Sequence, residues 1–578
     1  MPRQLFVLFF FFIPFVAGAQ STVSYGFESF NACNWDWLKQ QRRTAMEFNT
    51  EEREALTLKY DRRPLAGSQK MEFTLQGDII IPDMKYRNVT VSVNVKSQIS
   101  FPLRFLARGF DRNEKIIFED TISISGISDW KTFSISAKNP SIGLLKVYFI
   151  YKGDEKPNQW MALKDFTVKL DGVDISITRK KPNEKTATPY VLETNKIVPF
   201  ESQAAVLSKI PLIGHQKMIA LGESTHGSAD ISDMRFLFSR TLIEKYNARL
   251  LLLEIPFNEG LLYNAYVQGL IPGDADALMR DYLNAIYAKE SILQFLKWVR
   301  EYNTKAERKI LVVGIDNTNG SPFPIMDFNL AVLGEEAARP YLIALQKRDF
   351  NLVYDKMAQD SLLKSRLGTH YTLYKWIVRE SISPKGRYDR RDVEMARRAL
   401  FLDSLLTQPD ERTILLAHTG HLQKLPTMDS LKNSEILGSL LYNKRKKDYF
   451  VFDFKIGSGT FTQDSCMLQL YTTTEALTSI PENSFEAAAL KTGYPYFCYP
   501  ASALAHNMTT TSYITRNSQN RVHFIFSNLR KRADGYVFIK ESHPFADAEK
   551  EPLKAAIKFQ AKKSKQYNLL LHQEFRIK

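Results

Sequence analysis

The chain has 578 residues, more than the roughly 250–300 that one hydrophobic core serves, so at least two domains are expected. Its 44% hydrophobic, 12% aromatic and 24% charged content excludes a disordered or fibrous protein. The formal charge of +15 is dispersed and comes with no helix-turn-helix or zinc-knuckle pattern, so no nucleic-acid partner is expected.

Residues 1–19 read as a secretory signal peptide. Arg3 gives a positive start, Leu5 to Val16 is almost unbrokenly apolar, and Ala17-Gly18-Ala19 forms a small-residue cleavage site before Gln20. The run is shorter than the ~20 residues a spanning helix needs, and no later stretch is long and apolar enough. The expectation is an exported chain without a membrane span, periplasmic or extracellular. Cys33, Cys466 and Cys498 are too few for a disulfide framework, and Cys466 with Cys498 is the one candidate bridge.

From 20 to 177, short alternating runs such as Val89 to Val95 and Phe166 to Leu170 dominate, divided at Gly109, Gly126, Gly153 and Asp171-Gly172. A period of two marks half-buried strands, and many short ones predict an antiparallel β-sandwich. With Gly26-Phe27-Glu28 opening and Phe166 to Gly172 closing it, this segment resembles a galactose-binding-like jelly roll. Trp130 and Trp160 are candidates to stack on a glycan, although core packing weighs more for either. Residues 178–196 are polar, charged and unpatterned, and read as a linker.

Between 197 and 548, short apolar runs alternate with helical stretches. The strands expected are Met218 to Leu221, Leu250 to Leu253, Ile310 to Gly314, Thr413 to Ala417 and Tyr449 to Phe454. The helices expected are Asp230 to Lys245, Asp274 to Tyr302 and Arg391 to Leu406. This predicts an α/β domain with a mostly parallel sheet, and the strandless stretch from Met326 to Leu406 reads as a helical insertion capping it. The tail 549–578, with Lys554, Lys558, Lys562, Lys563, Lys565, Arg576 and Lys578, reads as a solvated basic helix.

Four successive strands deliver ionisable groups at their carboxyl ends, where ligands bind in open α/β sheets. The first runs into Gly222-Glu223-Ser224-Thr225-His226-Gly227, the second ends in Glu254, the third in Asp316, and the fourth in His418-Thr419-Gly420-His421. Two nearby imidazoles with Glu223 and Glu254 to fix their tautomers form acid–base equipment. Arg235, nine residues after His226 on the next helix, is a candidate to bind a carbonyl or oxyanion. Other readings compete. Ser224 is a candidate nucleophile, but no Gly-x-Ser-x-Gly elbow accompanies it. Two histidines and two glutamates form a plausible metal shell, without a His-Glu-x-x-His or paired-cysteine motif. Satisfied core histidines suit His418 or His421 alone better than the pair.

At these residues the chain resembles the erythromycin esterase family. Glu223, His226, Arg235, Glu254, His418 and His421 follow that family's order and spacing, and Asn264-x-Tyr266-x-x-Gly269, Trp298-x-Arg300-x-x-Asn303 and Arg391-Asp392-x-x-Met395-Ala396 match its secondary marks. The resemblance spans about residues 195–548. It implies hydrolysis of an ester or macrolactone without metal or cofactor: His226 activates water, Arg235 with His418 or His421 steadies the tetrahedral intermediate, and Glu223 and Glu254 orient the imidazoles. It also assigns Asp316, Asn264 and Tyr266 to substrate binding and suggests a macrolide, hence a response to antibiotic. The extra sandwich and the export signal count against an antibiotic substrate. A non-catalytic ligand- or metal-binding module on the same fold and an esterase of surface-polysaccharide processing are the alternatives.

Overall fold

The structure, a computed structural model, describes residues 35–40, 44–49, 55–60, 70–80, 88–99, 101–111, 115–154, 160–174, 191–200, 208–271, 282, 289–316, 321–382, 391–425, 435–464, 472–477, 480, 484–504, 509–513, 523–546 and 552–572. The signal-peptide reading, Cys33, Cys466 and residues 272–281 lie outside these.

The N-terminal unit is two antiparallel sheets. In spatial order the first holds Trp35–Gln40, Lys70–Ile80, Leu144–Asp154, Leu103–Phe110 and Ile116–Ile124; the second holds Thr44–Asn49, Ala55–Tyr60, Trp160–Leu170, Val89–Gln98 and Ile127–Ala137. Val89, Val91, Val93 and Val95 are buried with Phe105, Val147 and Phe149, while the residues between them are half-exposed. That alternation produces the sandwich. On the outer face of the second sheet, Thr90 pairs with Ser136, Ser92 with Ser134, and Thr132 with Asn94 through side-chain hydrogen bonds of 2.7–2.9 Å. Trp130 and Trp160 do not join the core, contrary to the weightier expectation. Both are half-buried on this outer face, Trp130 under the Lys164 ammonium at 4.1 Å and Trp160 donating from Nε1 to Gln98 at 3.1 Å.

Residues 178–190 of the expected linker lie outside the described residues, and its last residues pack on the unit that follows. Leu192 is buried in the core of the following unit, and the Glu193 amide donates to the Tyr499 hydroxyl at 3.1 Å.

That unit is built on an eight-stranded sheet: β1 (Val198–Pro199), β2 (Met218–Glu223), β3 (Ala248–Pro256), β4 (Leu311–Asp316), β5 (Arg412–His418), β6 (Tyr449–Ile456), β7 (Tyr496–Pro500) and β8 (Gly535–Ile539), in the spatial order β1-β7-β8-β6-β2-β5-β3-β4. All five expected strands are present. The pairings β8-β6-β2-β5-β3-β4 are parallel, and β7 and β1 extend the edge antiparallel. Every residue of β2 and β6 is buried, because helices cover both faces and leave no solvent side to alternate with. Helix α1 (Ala229–Lys245) lays Phe238 edge-on against Phe452 and Phe454 of β6. Cys498 is a free, buried thiol on β7, and burial pushes it up; the candidate bridge to Cys466 is not formed.

Helix α2 (Phe257–Val267) covers the exposed edge of β4. A Cβ on Gly260 would sit 2.1 Å from the Gly314 amide nitrogen, so helix and strand touch backbone to backbone. Asn264 Oδ1 accepts from the Val312 amide, and on α3 (Lys289–Lys305) Asn303 bonds Ile310 through both its amide groups. The Val312 amide and both backbone groups of Ile310 are thereby satisfied at the edge, where a foreign strand would otherwise pair.

The expected helical insertion is present as α4 (Phe323–Leu333) and helices over Glu335–Gln346, Phe350–Gln359, Ser361–Leu367 and Tyr371–Ile382, with α5 (Arg391–Leu406) returning to the sheet. The tail departs from expectation. Helix α8 (Pro552–His572) is docked: Lys563 and Tyr567, one turn apart, both bond the buried Asp327 carboxylate of α4, which Tyr282 also meets. Lys558, Lys562 and Lys565 form the exposed face, so the basic run is one side of an amphipathic helix. Short helices α6 (Thr419–Leu422) and α7 (Leu529–Arg532) follow β5 and precede β8.

Candidate active site

At the carboxyl end of β2 the chain turns through Ser224 and Thr225 before Ser228 caps α1 by accepting from the Ile231 amide. This turn folds His226 back so that Nδ1 lies 2.7 Å from Glu223 Oε1. The other Glu223 oxygen is bound by Arg235 from the second turn of α1. An ionised carboxylate only accepts, so Nδ1 carries a proton, and in the neutral ring Nε2 keeps its lone pair. The His226 side chain is 19% exposed, against 1% for Glu223, so the imidazole is reachable while its carboxylate is not.

Arg235 is wholly buried. Its Nε donates to the Leu221 carbonyl at 3.0 Å, Nη1 to Glu223, and Nη2 to the Ala417 carbonyl at 3.4 Å. The role expected for it at an oxyanion does not fit: its donors hold the carboxylate and two strand ends, and it is a positioning residue.

Beside this, β5 ends in His418, whose ring centroid is 4.9 Å from that of His226. Nδ1 of His418 accepts from the Gly420 amide at 3.1 Å, which leaves the proton on Nε2, 3.3 Å from the Ser224 carbonyl. Both nitrogens thus stitch the two strand-end turns together. His418 is one of the two imidazoles expected near an oxyanion, and both its ring nitrogens are engaged by backbone groups.

His421, one turn on in α6, has Nδ1 2.7 Å from Asp392 Oδ1; its Nε2 lies 3.1 Å from Arg391 Nη1 and 3.3 Å from Glu254 Oε1. Burial works against the charged imidazole, but the carboxylates of Glu254 and Asp392 outweigh it and carry His421 above its usual range. Glu254 shows the converse. Burial would raise it, yet His421, Arg391, His226 and the His418 amide, 2.8 Å from Oε2, hold its carboxyl well below the ordinary value.

Arg391 is the functional residue that sequence reasoning left among the secondary marks. It opens α5, binds both oxygens of Asp316 at 2.7–3.2 Å, and reaches Glu254 at 2.7 Å, with 17% of its side chain exposed. The signal was the Arg391-Asp392 pair: one member grips two strand-end carboxylates while the other grips His421. Asp316, expected to bind substrate, is instead the buried counter-ion of Arg391. Asn264 and Tyr266 are also removed from substrate binding, because Asn264 satisfies the sheet edge and Tyr266 is 2% exposed with the Arg300 guanidinium 4.9 Å from its ring. The site therefore gathers Glu223, His226, Arg235, Glu254, His418 and His421, adds Arg391 and Asp392, and leaves out Asn264 and Tyr266.

The rival readings find less support. Ser224 is buried and its hydroxyl makes no hydrogen bond among the described residues, to His226 or otherwise, whereas an activated serine needs its base within bonding reach. Among the described residues no three His, Cys, Asp or Glu side chains are arranged to hold a metal ion.

The sequence profile of the erythromycin esterase family matches residues 243–360 and 363–542, more than half of the chain. The chain belongs to the erythromycin esterase family. A stretch of 118 residues is 32% identical to erythromycin esterase type II of Escherichia coli, covering 20% of this chain and 27% of that protein, so the matched stretch spans about a quarter of that relative. Solved structures similar to this chain include a succinoglycan biosynthesis protein, 18% identical over 61% of this chain and 95% of that one with a TM-score of 0.45. An erythromycin esterase mutant in its open conformation is 18% identical over 60% of this chain and 96% of that one, with a TM-score of 0.41.

Proposed function

We propose that this member of the family hydrolyses an ester or macrolactone with water activated by His226, and that it works outside the cytoplasm. The observation that carries the reading is the Arg235–Glu223–His226 relay, which fixes the proton on Nδ1 and leaves Nε2 open at a partly exposed position. Nε2 takes a proton from water as the oxygen attacks the ester carbonyl, and the carbonyl electron pair becomes an oxyanion. Protonated His421, beside Arg391, donates to that oxygen. The intermediate then collapses, the C–O bond breaks, and the leaving alkoxide takes the proton from His226, giving acid and alcohol. No step calls on a metal. The apolar run Leu5 to Val16 supports export.

Purified full-length protein should turn over members of a panel of chromogenic esters, acylated polysaccharides and macrolides, with rates unchanged by a chelator. Loss of turnover on chelation overturns the metal-free mechanism, and silence across the panel overturns the esterase.

A second reading concerns the sandwich. Trp130 and Trp160 share one solvent-facing sheet surface with Lys164 and Gln98, which supports glycan capture there. Polysaccharide retention by the full chain that Trp160→Ala weakens supports it, and equal retention removes it.

A further inference from the structure

The turn that carries His226 is clamped by two segments that lie more than 200 residues further along the chain. β2, β6 and β8 are parallel neighbours in the sheet, so the chain leaves all three at the same edge. Beyond β2 it runs through the His226 turn, beyond β6 it forms the strand Thr460–Asp464, and beyond β8 it reaches residues 542–545. The two later segments close on the turn. The Thr462 amide donates to the Gly227 carbonyl at 2.9 Å, and the Ala229 amide donates to the His543 carbonyl at 3.0 Å. Only glycine admits the first contact, because a Cβ on Gly227 would lie 1.6 Å from the Thr462 carbonyl oxygen.

Ser542 joins the pieces. Its amide donates to the Ser458 carbonyl at 3.0 Å and its carbonyl accepts from the Thr460 amide at 2.8 Å, which pins its backbone to the chain leaving β6. Its hydroxyl donates to the Thr460 carbonyl at 2.9 Å and is hydrogen-bonded to the Ser228 hydroxyl at 2.8 Å. Both serines are buried. Ser228 is the cap of α1 and stands two residues after His226, so one sequestered hydroxyl couples the start of that helix to the strand beyond β6. A second tie runs beside it, from the Phe545 amide to the Thr462 hydroxyl at 2.9 Å. His421 is oriented from elsewhere, by Asp392 and Arg391 of α5.

We propose that Ser542, with Thr462 beside it, is a positioning residue: its hydroxyl, shared between Ser228 and Thr460, locks the turn and so keeps the His226 imidazole where Nε2 meets water. The inference rests on the esterase reading for its catalytic consequence but not for its structural one. Ser542 acts through Ser228 and Gly227 and not on the reacting atoms. A displacement of about 1 Å at an imidazole is enough to cost up to about a hundredfold in rate.

The test uses full-length protein with nitrogen-labelled histidines and the variants Ser542→Ala, Thr462→Val and Thr462→Ser. The His226 Nδ1–H resonance, assigned by its loss in His226→Ala, reports the bond to Glu223. In Ser542→Ala it should shift while the His421 resonance stays in place, and kcat should fall about tenfold with KM within about threefold. Thr462→Val should move the same His226 resonance, and Thr462→Ser, which keeps the hydroxyl, should leave it where it is in the wild type. Should Ser542→Ala not fold, the two Thr462 variants decide. A His226 resonance that stays put in folded Ser542→Ala or in Thr462→Val, or that moves together with that of His421, overturns the proposal. If wild-type protein cleaves no ester, the esterase reading fails while the resonances still decide the role of Ser542.

Discussion

The two imidazoles His226 and His421 begin alike and end differently. Each presents Nδ1 to a carboxylate oxygen at 2.7 Å, Glu223 for one and Asp392 for the other. Beyond that bond they diverge. The carboxylate of His226 is backed by an arginine with no exposure, whereas Nε2 of His421 faces both Glu254 and the partly exposed Arg391. Two similar dyads thus sit in different surroundings, and those of His421 favour its charged form. In the proposed mechanism, what surrounds the far nitrogen separates base from acid, as when environment divides the work of two like groups.

The largest effect should come from removing the base. His226→Ala is expected to lower kcat about 10²–10⁴-fold, with an unchanged melting temperature by calorimetry; residual activity near wild type would end the division of labour. Next are the two arginines, which should fail in opposite ways. Arg235→Met leaves the buried Glu223 charge unpaired and should cost about 3–5 kcal/mol in urea unfolding. Arg391→Met, at a wetter position, should lose more rate than stability, and equal behaviour of the two variants would erase the contrast.

Glu254→Gln should act through pH. His421 is raised above 6.5 in the folded protein, so its contribution to stability is full below that value and lost as pH rises through its folded pKa. Glu254 is depressed, so its contribution is full above about 4.5 and lost on acidification. The substitution removes the charge that favours protonated His421. The alkaline limb of kcat should move to lower pH, and acid unfolding should become less steep. An unmoved limb would show that His421 is not the acid.

Tyr567→Phe lies outside both dyads and has the smallest expected effect. It removes one bond to Asp327 while leaving Lys563 and Tyr282 in place, and should cost about 1–2 kcal/mol in thermal or urea unfolding with kcat unchanged.

The sequence carried the sheet well where burial leaves a compositional trace. Met218 to Leu221 and Tyr449 to Phe454 are apolar on both faces and read directly as central strands. Tyr496–Pro500 and Gly535–Ile539 are as buried along most of their length but only five residues long, and they stand amid unpatterned chain, so they passed unnoticed. The site was legible where a strand end announces it, at Glu223, Glu254, Asp316 and His418. Depth was not. Spacing places Arg235 on the next helix without saying that its guanidinium is sealed beneath the sheet. Arg391 reaches Asp316 from 75 residues away, across the whole insertion, and no local periodicity reports such a meeting. Asn264 and Tyr266 share a motif whose described contacts are structural, Asn264 with the sheet edge and Tyr266 with Arg300, and spacing alone does not tell such contacts from ligand contacts.

The clamp on Asp327 bears on how the protein can be divided. The family match stops at residue 542, so a recombinant fragment trimmed there would discard the helix that supplies Lys563 and Tyr567. The cut would uncover the Phe323 ring that stacks on Tyr567 and strip a sequestered carboxylate of its Lys563 and Tyr567 partners. Such a truncation should be poorly soluble, and expression boundaries are better drawn beyond His572.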